Sequence, residues 1–272
     1  MEKYGVELEA ALEAARVASE YLRGAYADFQ AIPDAPVNIS TEADRQSQEL
    51  ILRFLSERFP ADRLCAEENT STLKDSTATG SRTWVVDPID GTRGFVMKTG
   101  EFSVMIGLLD GTTLAVGVVA EPALDRYTYA TIGGGCWVTT GESSPEACHV
   151  SSVSALADST LIQSHMKAGR PNPAADAVKP RRRTETYSAG VKLAMVARGE
   201  GDLYVNTYSN FKDWDICAGH LLVTEAGGAV TEVSGAAVHY GREKFAQKGG
   251  LLAANAVLHP LAVAALRDVP LG

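Results

Sequence analysis

No stretch of 18 consecutive apolar residues occurs in the 272-residue chain. Its first residues, "MEKYGVELEAALEAARVASEYL", carry acids where an export signal carries a basic start and an apolar run. A soluble, cytoplasmic protein is expected. The four cysteines (Cys65, Cys136, Cys148, Cys217) stand far apart with no CxxC, and the five histidines form no HxxxH or CxxH pair, so zinc and disulfide frameworks have no support. Positive charge is also scarce: 25 Lys and Arg against 34 Asp and Glu leave a net charge of −9 and a pI near 5.1. Such a field repels polyanions, which argues against a nucleic-acid polymer or a membrane as partner. Any anionic ligand must be met locally.

What the chain does have is 45% hydrophobic residues, enough to fill the core of one large domain or two ordinary ones. Helical spacing of Ala, Leu and Val from Glu7 to about Ala27, and a capped amphipathic run "STEADRQSQELILRFLSERFP" ending at Pro60, predict two helices before the first strand. Short β-rich runs follow, "RTWVVD", "FSVMIGLLDG", "TTLAVGVVAEP" and "RYTYATIGGGCWV", which predict a mostly antiparallel meander. After a Gly/Ser/Pro-rich stretch the pattern alternates between strands ("STLIQS", "GDLYVN", "GAVTEV", "GLLAAN") and helices ("AGVKLAMVARGE", "DWDICAGHLLVTEAGG", and one from about His259). Two parts are therefore expected, 1–145 with helices and an antiparallel sheet, and 146–272 as a smaller α/β layer. The stretch 166–183 is expected to be a polar, basic loop.

The stretch "WVVDPIDGTRGF" carries the first chemistry. Proline at the second position of "DPID" favours a tight turn that throws Asp87 and Asp90 to one side and turns the Ile89 carbonyl toward them. Two carboxylates and a carbonyl suit a hard cation such as Mg²⁺ or Mn²⁺, and Gly91 and Thr92 could open a helix whose free amides accept a phosphate. An ordinary turn with an Asx bond explains the motif alone equally well. Further acids stand in "CAEEN" (Glu67, Glu68) and at the start of "DWDICAGHLLVTEAGG" (Asp215), although adjacent glutamates are commonly solvated and an aspartate opening a helix is commonly a cap.

Together, "AEE", "DPIDGT" and "WDICAG…EAGG", with "TEAD" upstream, resemble the inositol monophosphatase superfamily of Mg²⁺-dependent, lithium-sensitive phosphatases over roughly residues 8 to 265. The resemblance implies a layered α-β-α-β-α sandwich. It also implies that Glu67, Asp87 and the Ile89 carbonyl hold one Mg²⁺ and that Asp87, Asp90 and Asp215 hold a second. Such a pair clamps the attacking and leaving oxygens of an in-line displacement. Thr92 would orient the water with Asp44 accepting from it, and Gly91 and Thr92 would hold the phosphate. Relatives usually carry a lysine and an aspartate upstream of "TEAD"; here "PDAPVNIS" offers only Asp34, which bears on whether two or three ions bind.

The substrate is a small phosphate ester in this reading. Gly94 and Met97 stand where inositol-type members carry asparagine and histidine, and "YVNTYSNFKDWD" lacks the glutamate that receives sugar hydroxyls there. "DGTRGF" is closer to the form found in 3'(2'),5'-bisphosphate nucleotidases. In that branch "QSHM" (Ser164, His165) and "SAGVK" (Ser188, Lys192) would contact the nucleotide, beside Asp215. The cluster Lys167, Arg170, Lys179, Arg181, Arg182 and Arg183 offers arginines suited to a second phosphate, or is a solvated loop. Hydrolysis of adenosine 3',5'-bisphosphate to AMP is the favoured expectation, in a monomer or homodimer. Inositol, fructose 1,6-bis- or histidinol phosphate is the alternative ester, and a non-catalytic nucleotide or metal sensor the alternative class.

Overall fold

Residues Arg82–Asp90 form strand β2, in which every residue after Arg82 is buried. A strand buried toward both faces needs cover on both. One face is covered by α1 (Gly5–Asp28) and α2 (Glu42–Arg58), the other by α7 (Asp213–Glu225). The computed structural model describes residues 3–166 and 169–272. α1 meets the sheet through Ala10, Ala11, Ala14, Ala15, Ala18 and Leu22, small residues at helical spacing that let the helix axis lie close to the strands.

The first sheet has seven strands in chain order. β1 (Arg63–Ala66) is parallel to β2, joined to it through the short helix α3 (Ser71–Asp75). β3 (Ser103–Asp110), β4 (Thr113–Glu121), β5 (Arg126–Thr131), β6 (Gly135–Thr140) and β7 (Glu146–Ala147) then run antiparallel, each to the one before. Between β2 and β3 lies α4 (Thr92–Val96).

The second sheet has the order β12-β14-β10-β8-β9, from β8 (Thr160–Gln163), β9 (Arg182–Glu185), β10 (Leu203–Asn206), β12 (Gly228–Thr231) and β14 (Leu251–Asn255). β8 is parallel to β9 and β10, and β14 is antiparallel to both its neighbours. A separate pair joins β11 (Phe211–Lys212), directly before α7, to β13 (Ala246–Gln247). α6 (Ala189–Ala197) packs with α7 between the two sheets, and α5 (Pro173–Val178) packs with α8 (Leu258–Leu266), which covers β14. The result is an α-β-α-β-α sandwich.

The first sheet ends at Ala147 and the second begins at Thr160, yet their cores are not separate. Met105, Val119 and Ala130 of the first sheet share one buried cluster with Leu193 and Leu222 of the middle helices and Ile162, Tyr204 and Ala253 of the second sheet. The stretch 166–183 departs from the expected loop: it contains α5 and the start of β9. Asn172 caps α5 by accepting from the Ala175 amide at 3.0 Å, Pro173 takes the first helical position where no amide is needed, and Ala174, Ala175 and Val178 are buried. A short apolar stripe inside a basic segment hid the helix.

The middle layer comes very close to the first sheet where Gly107 of β3 pairs with Gly117 of β4. A Cβ on Gly107 would stand 2.6 Å from Cys217 Sγ, and one on Gly117 would stand 2.6 Å from the Ala218 carbonyl oxygen. The second contact is with backbone and has no side chain to swing away. Gly117→Ala should therefore cost about 1–3 kcal/mol by overpacking, seen as a calorimetric Tm several degrees lower; an unchanged Tm would mean that α7 lifts off the sheet freely.

Candidate active site

In a regular strand, residues three apart point to opposite faces. Asp87 pairs with Met105 and Asp90 with Ser103, so three steps on β2 oppose two on β3 and the extra residue makes a bulge. Pro88, with no amide to donate, sits within it. The strand thus runs through to Asp90 rather than ending before Asp87, and both aspartates open onto one cavity of ≈ 380 Å³. Its walls include Glu67, Asp87, Ile89, Asp90, Gly91, Thr92 and Asp215.

Gly91 follows with φ 84°, a left-handed conformation that a side chain resists, and its missing Cβ would stand 2.8 Å from the Glu101 carbonyl oxygen. That turn starts α4 at Thr92, whose hydroxyl lies 3.0 Å from Asp44 Oδ1 and 3.0 Å from the Ile89 carbonyl oxygen. One proton cannot serve both acceptors fully. Donation to Asp44 leaves the Ile89 carbonyl free for another partner.

Two buried residues of α2 hold the acid-bearing segments. Ser47 donates to the Pro88 carbonyl at 3.1 Å, and Gln48 brackets Glu68, accepting from its amide at 2.7 Å and donating to its carbonyl at 2.6 Å. Neither was singled out in the sequence, where both read as polar positions on an amphipathic helix. Asp44 and Asp215 are held by their own helices. Asp44 Oδ2 accepts from the Thr41 amide at 2.7 Å, and Asp215 Oδ2 accepts from the Lys212 amide at 2.6 Å, each as the third residue of its helix. Capping and site position are the two ends of one carboxylate.

Crowding these acids raises their proton affinity. Burial, then repulsion from Asp215 and Asp44, pushes Glu67 up to about 8. Glu67 lines the cavity and keeps open surface there. Burial drives Asp215 up to about 7 and raises Asp87 well above the ordinary carboxylate range, with Glu67 and Asp90 adding to the latter. Asp90 is raised by burial but eased by Ser188, Lys192 and the Gly190 amide. Asp44, fully buried behind Thr92, is also raised by burial.

The donor set, four carboxylates and a carbonyl, is one for a hard divalent cation. As the side chains stand, no three His, Cys, Asp or Glu among the described residues are placed to hold one metal ion together. Asp90 Oδ2 is turned to the Ser188 hydroxyl and the Gly190 amide, the latter at 2.6 Å.

The cavity is also lined by Ser164, His165, Tyr187 and Arg93. His165 is gripped by Glu101 (2.6 Å from Nε2) and Glu185 (3.4 Å from Nδ1), with its ring 4.3 Å from that of Tyr187. Two nucleotide-contact expectations do not fit this geometry. Lys192 is 1% exposed and its Nζ donates to the Tyr187 and Ser188 carbonyls at 2.9 and 3.0 Å; burial lowers it to about 8. Ser188 is fully buried as the cap of α6. Both shape the helix start that holds Asp90 rather than facing the cavity. Of the basic cluster, Arg182 and Arg183 lie on β9 outside the cavity walls, and Lys167 lies outside the described residues.

The sequence profile of the inositol monophosphatase family matches residues 6–271. The chain belongs to this family. A histidinol-phosphatase of Streptomyces coelicolor is 34% identical over 203 residues, 72% of this chain and 74% of that protein. A fructose-1,6-bisphosphatase/inositol-1-monophosphatase of Thermotoga maritima is 33% identical over 79% of each. Among solved structures, the inositol monophosphatase of Anabaena (Nostoc) superposes with a TM-score of 0.78 at 28% identity, covering 98% of this chain and 97% of that one. As an inositol monophosphatase-family protein with relatives so named, the chain is a phosphoric monoester hydrolase.

The raised acids fix how stability varies with pH. Between the ordinary carboxylate range and about 8 the folded protein holds protons that the unfolded chain has released, so raising the pH through this window favours unfolding. A cation bound to the folded site opposes that loss. With chelator present, Tm should fall steadily from about pH 5.5 to about pH 8.5, and saturating Mg²⁺ should recover most of the loss at the upper end. Glu67→Gln should raise the metal-free Tm at high pH; a Tm flat in pH and indifferent to Mg²⁺ would contradict the electrostatics.

Proposed function

We propose that the protein hydrolyses a small phosphomonoester with the help of two or three Mg²⁺ ions, Mn²⁺ being an alternative. The observation that carries this is the meeting of four raised carboxylates and the Thr92–Asp44 pair at one cavity. Glu67, Asp87 and the Ile89 carbonyl would hold one ion, and Asp87, Asp90 and Asp215 another. Divalent ions held there would offset the carboxylates' charge and polarise the phosphoryl oxygens.

The chain's own groups supply the rest. Thr92, its proton given to Asp44, offers an oxygen lone pair that accepts from a water and aims it at phosphorus. Asp44 is more basic than a surface aspartate because it is buried, and a second bond from the Thr41 hydroxyl at 2.6 Å fixes its plane. Gly91 and Thr92 line the cavity, and their amides would donate to a phosphate oxygen bound there.

For the ester, we take adenosine 3',5'-bisphosphate as the leading candidate, supported by "DGTRGF" and by His165 at the cavity. The burial of Lys192 and Ser188 removes two of the contacts that reading rested on. It favours a second reading, an inositol or histidinol phosphate, as in the relatives' names. A substrate panel with Mg²⁺ decides between them: a tenfold or greater advantage of inositol 1-phosphate or histidinol phosphate in kcat/KM would overturn the nucleotide assignment.

Thr92→Val and Asp44→Asn should each lower kcat by about 10²–10⁴, the scale of a lost proton-transfer partner, with KM changed far less. Asp44→Asn keeps an oxygen for the Thr41 amide, so α2 should stay folded by circular dichroism. Phosphate release unchanged in either variant would exclude this pair from the reaction. Tight ligand binding with no turnover in the wild-type protein would favour a sensor instead.

A further inference from the structure

Arg93, between the threonine and glycine of "DGTRGF", is a wall residue of the same cavity. Its guanidinium lies over the Tyr187 ring at 5.1 Å, and its Nε is closed off from solvent without a hydrogen-bond partner. The nearby glutamates do not compensate it: Glu101 and Glu185 are both turned to His165. Among the described residues Arg93 makes no ion pair, whereas Arg82, Arg126 and Arg198 are each matched by two carboxylates.

Arg93 is half-buried, with its guanidinium over the Tyr187 ring, its Nε buried without a partner and no carboxylate paired to it among the described residues, so its charge is free to meet an anion in the cavity. The reacting phosphate is one candidate anion, but in the reading above it is met by the divalent ions and by the amides of Gly91 and Thr92. We infer that Arg93 binds a second anionic group of the substrate, a phosphate that does not react, and so selects doubly phosphorylated esters over their monophosphate counterparts. This rests on the phosphomonoesterase reading above. It assigns to Arg93 the role that the sequence had suggested for Lys192 or the basic cluster. Tyr187, whose ring lies against both Arg93 and His165, acts as a positioning residue that holds the guanidinium over the cavity.

The test compares matched pairs that share the reacting phosphate: adenosine 3',5'-bisphosphate against adenosine 3'-monophosphate, and fructose 1,6-bisphosphate against fructose 1-phosphate. The wild-type protein should prefer the doubly phosphorylated member of at least one pair by tenfold or more in kcat/KM. Arg93→Gln should shrink that ratio at least tenfold, mainly through KM, and Arg93→Lys should fall between, keeping charge but not the fork. Competitive inhibition by the product that retains the distal phosphate should weaken in parallel.

An equal loss on both members of each pair would instead give Arg93 to the reacting phosphate and overturn the inference. An unchanged ratio in Arg93→Gln, or no wild-type preference, would overturn it as well. Absence of hydrolysis of every ester would fail the phosphatase reading itself, a distinct result. Circular dichroism and Tm of both variants guard against loss of fold.

Discussion

Desolvation of Glu67, Asp87, Asp90 and Asp215 around one cavity, with carboxylate repulsion added at Glu67, Asp87 and Asp215, is the constraint around which the rest is organised. Nothing in the acids' own chemistry would hold them there. They are fixed from outside by three devices. A bulge turns Asp87 and Asp90 to one side, a glutamine clamp from α2 sets the segment bearing Glu67, and the first turn of α7 carries Asp215. The repulsion is thus stored in a frame stabilised elsewhere, by sheet pairing and by the cores on both sides of it.

Economy appears at the helix starts. Asp44 and Asp215 each use one oxygen for the cap of their own helix. Asp44 leaves the other for Thr92, and Asp215 faces the cavity. A cap is worth about 0.5–2 kcal/mol, so these acids help the fold even where their charge works against it. Asp215, expected either as a cap or at the site, caps its helix and lines the cavity at once.

Much of this was legible in the sequence because it is local. "DPIDGT" was legible as a turn throwing two aspartates to one side, which the structure makes with a bulge inside the strand and a left-handed Gly91, and the two N-terminal helices follow from spacing and capping residues. The convergence of Glu67 and Asp215 on Asp87 is a long-range fact that residue-level reasoning does not reach; it was expected only through resemblance to a family. What failed was also long-range. Lys192 looks like a ligand-binding lysine in "SAGVK", but its orientation depends on the close fit of α6 against β3, where a Cβ on Gly190 would lie 2.7 Å from the side chains of Ser103 and Met105. Arg93 was in full view inside the motif, yet only the structure reveals that its buried Nε has no hydrogen-bond partner and that it makes no ion pair among the described residues.

The cavity walls are drawn from 37–40, 67, 87, 89–93, 164–165, 187 and 215, which include the end of β2, the stretches just past β8 and β9, and the first turn of α7. Severing the chain anywhere between β7 and β8 would give one fragment holding the bulge, Thr92 and Arg93, and another holding Asp215, Tyr187 and His165. Neither piece keeps the whole lining, so the cavity is a property of the complete sandwich. Any separation of the two sheets takes it apart at the moment it opens the middle layer.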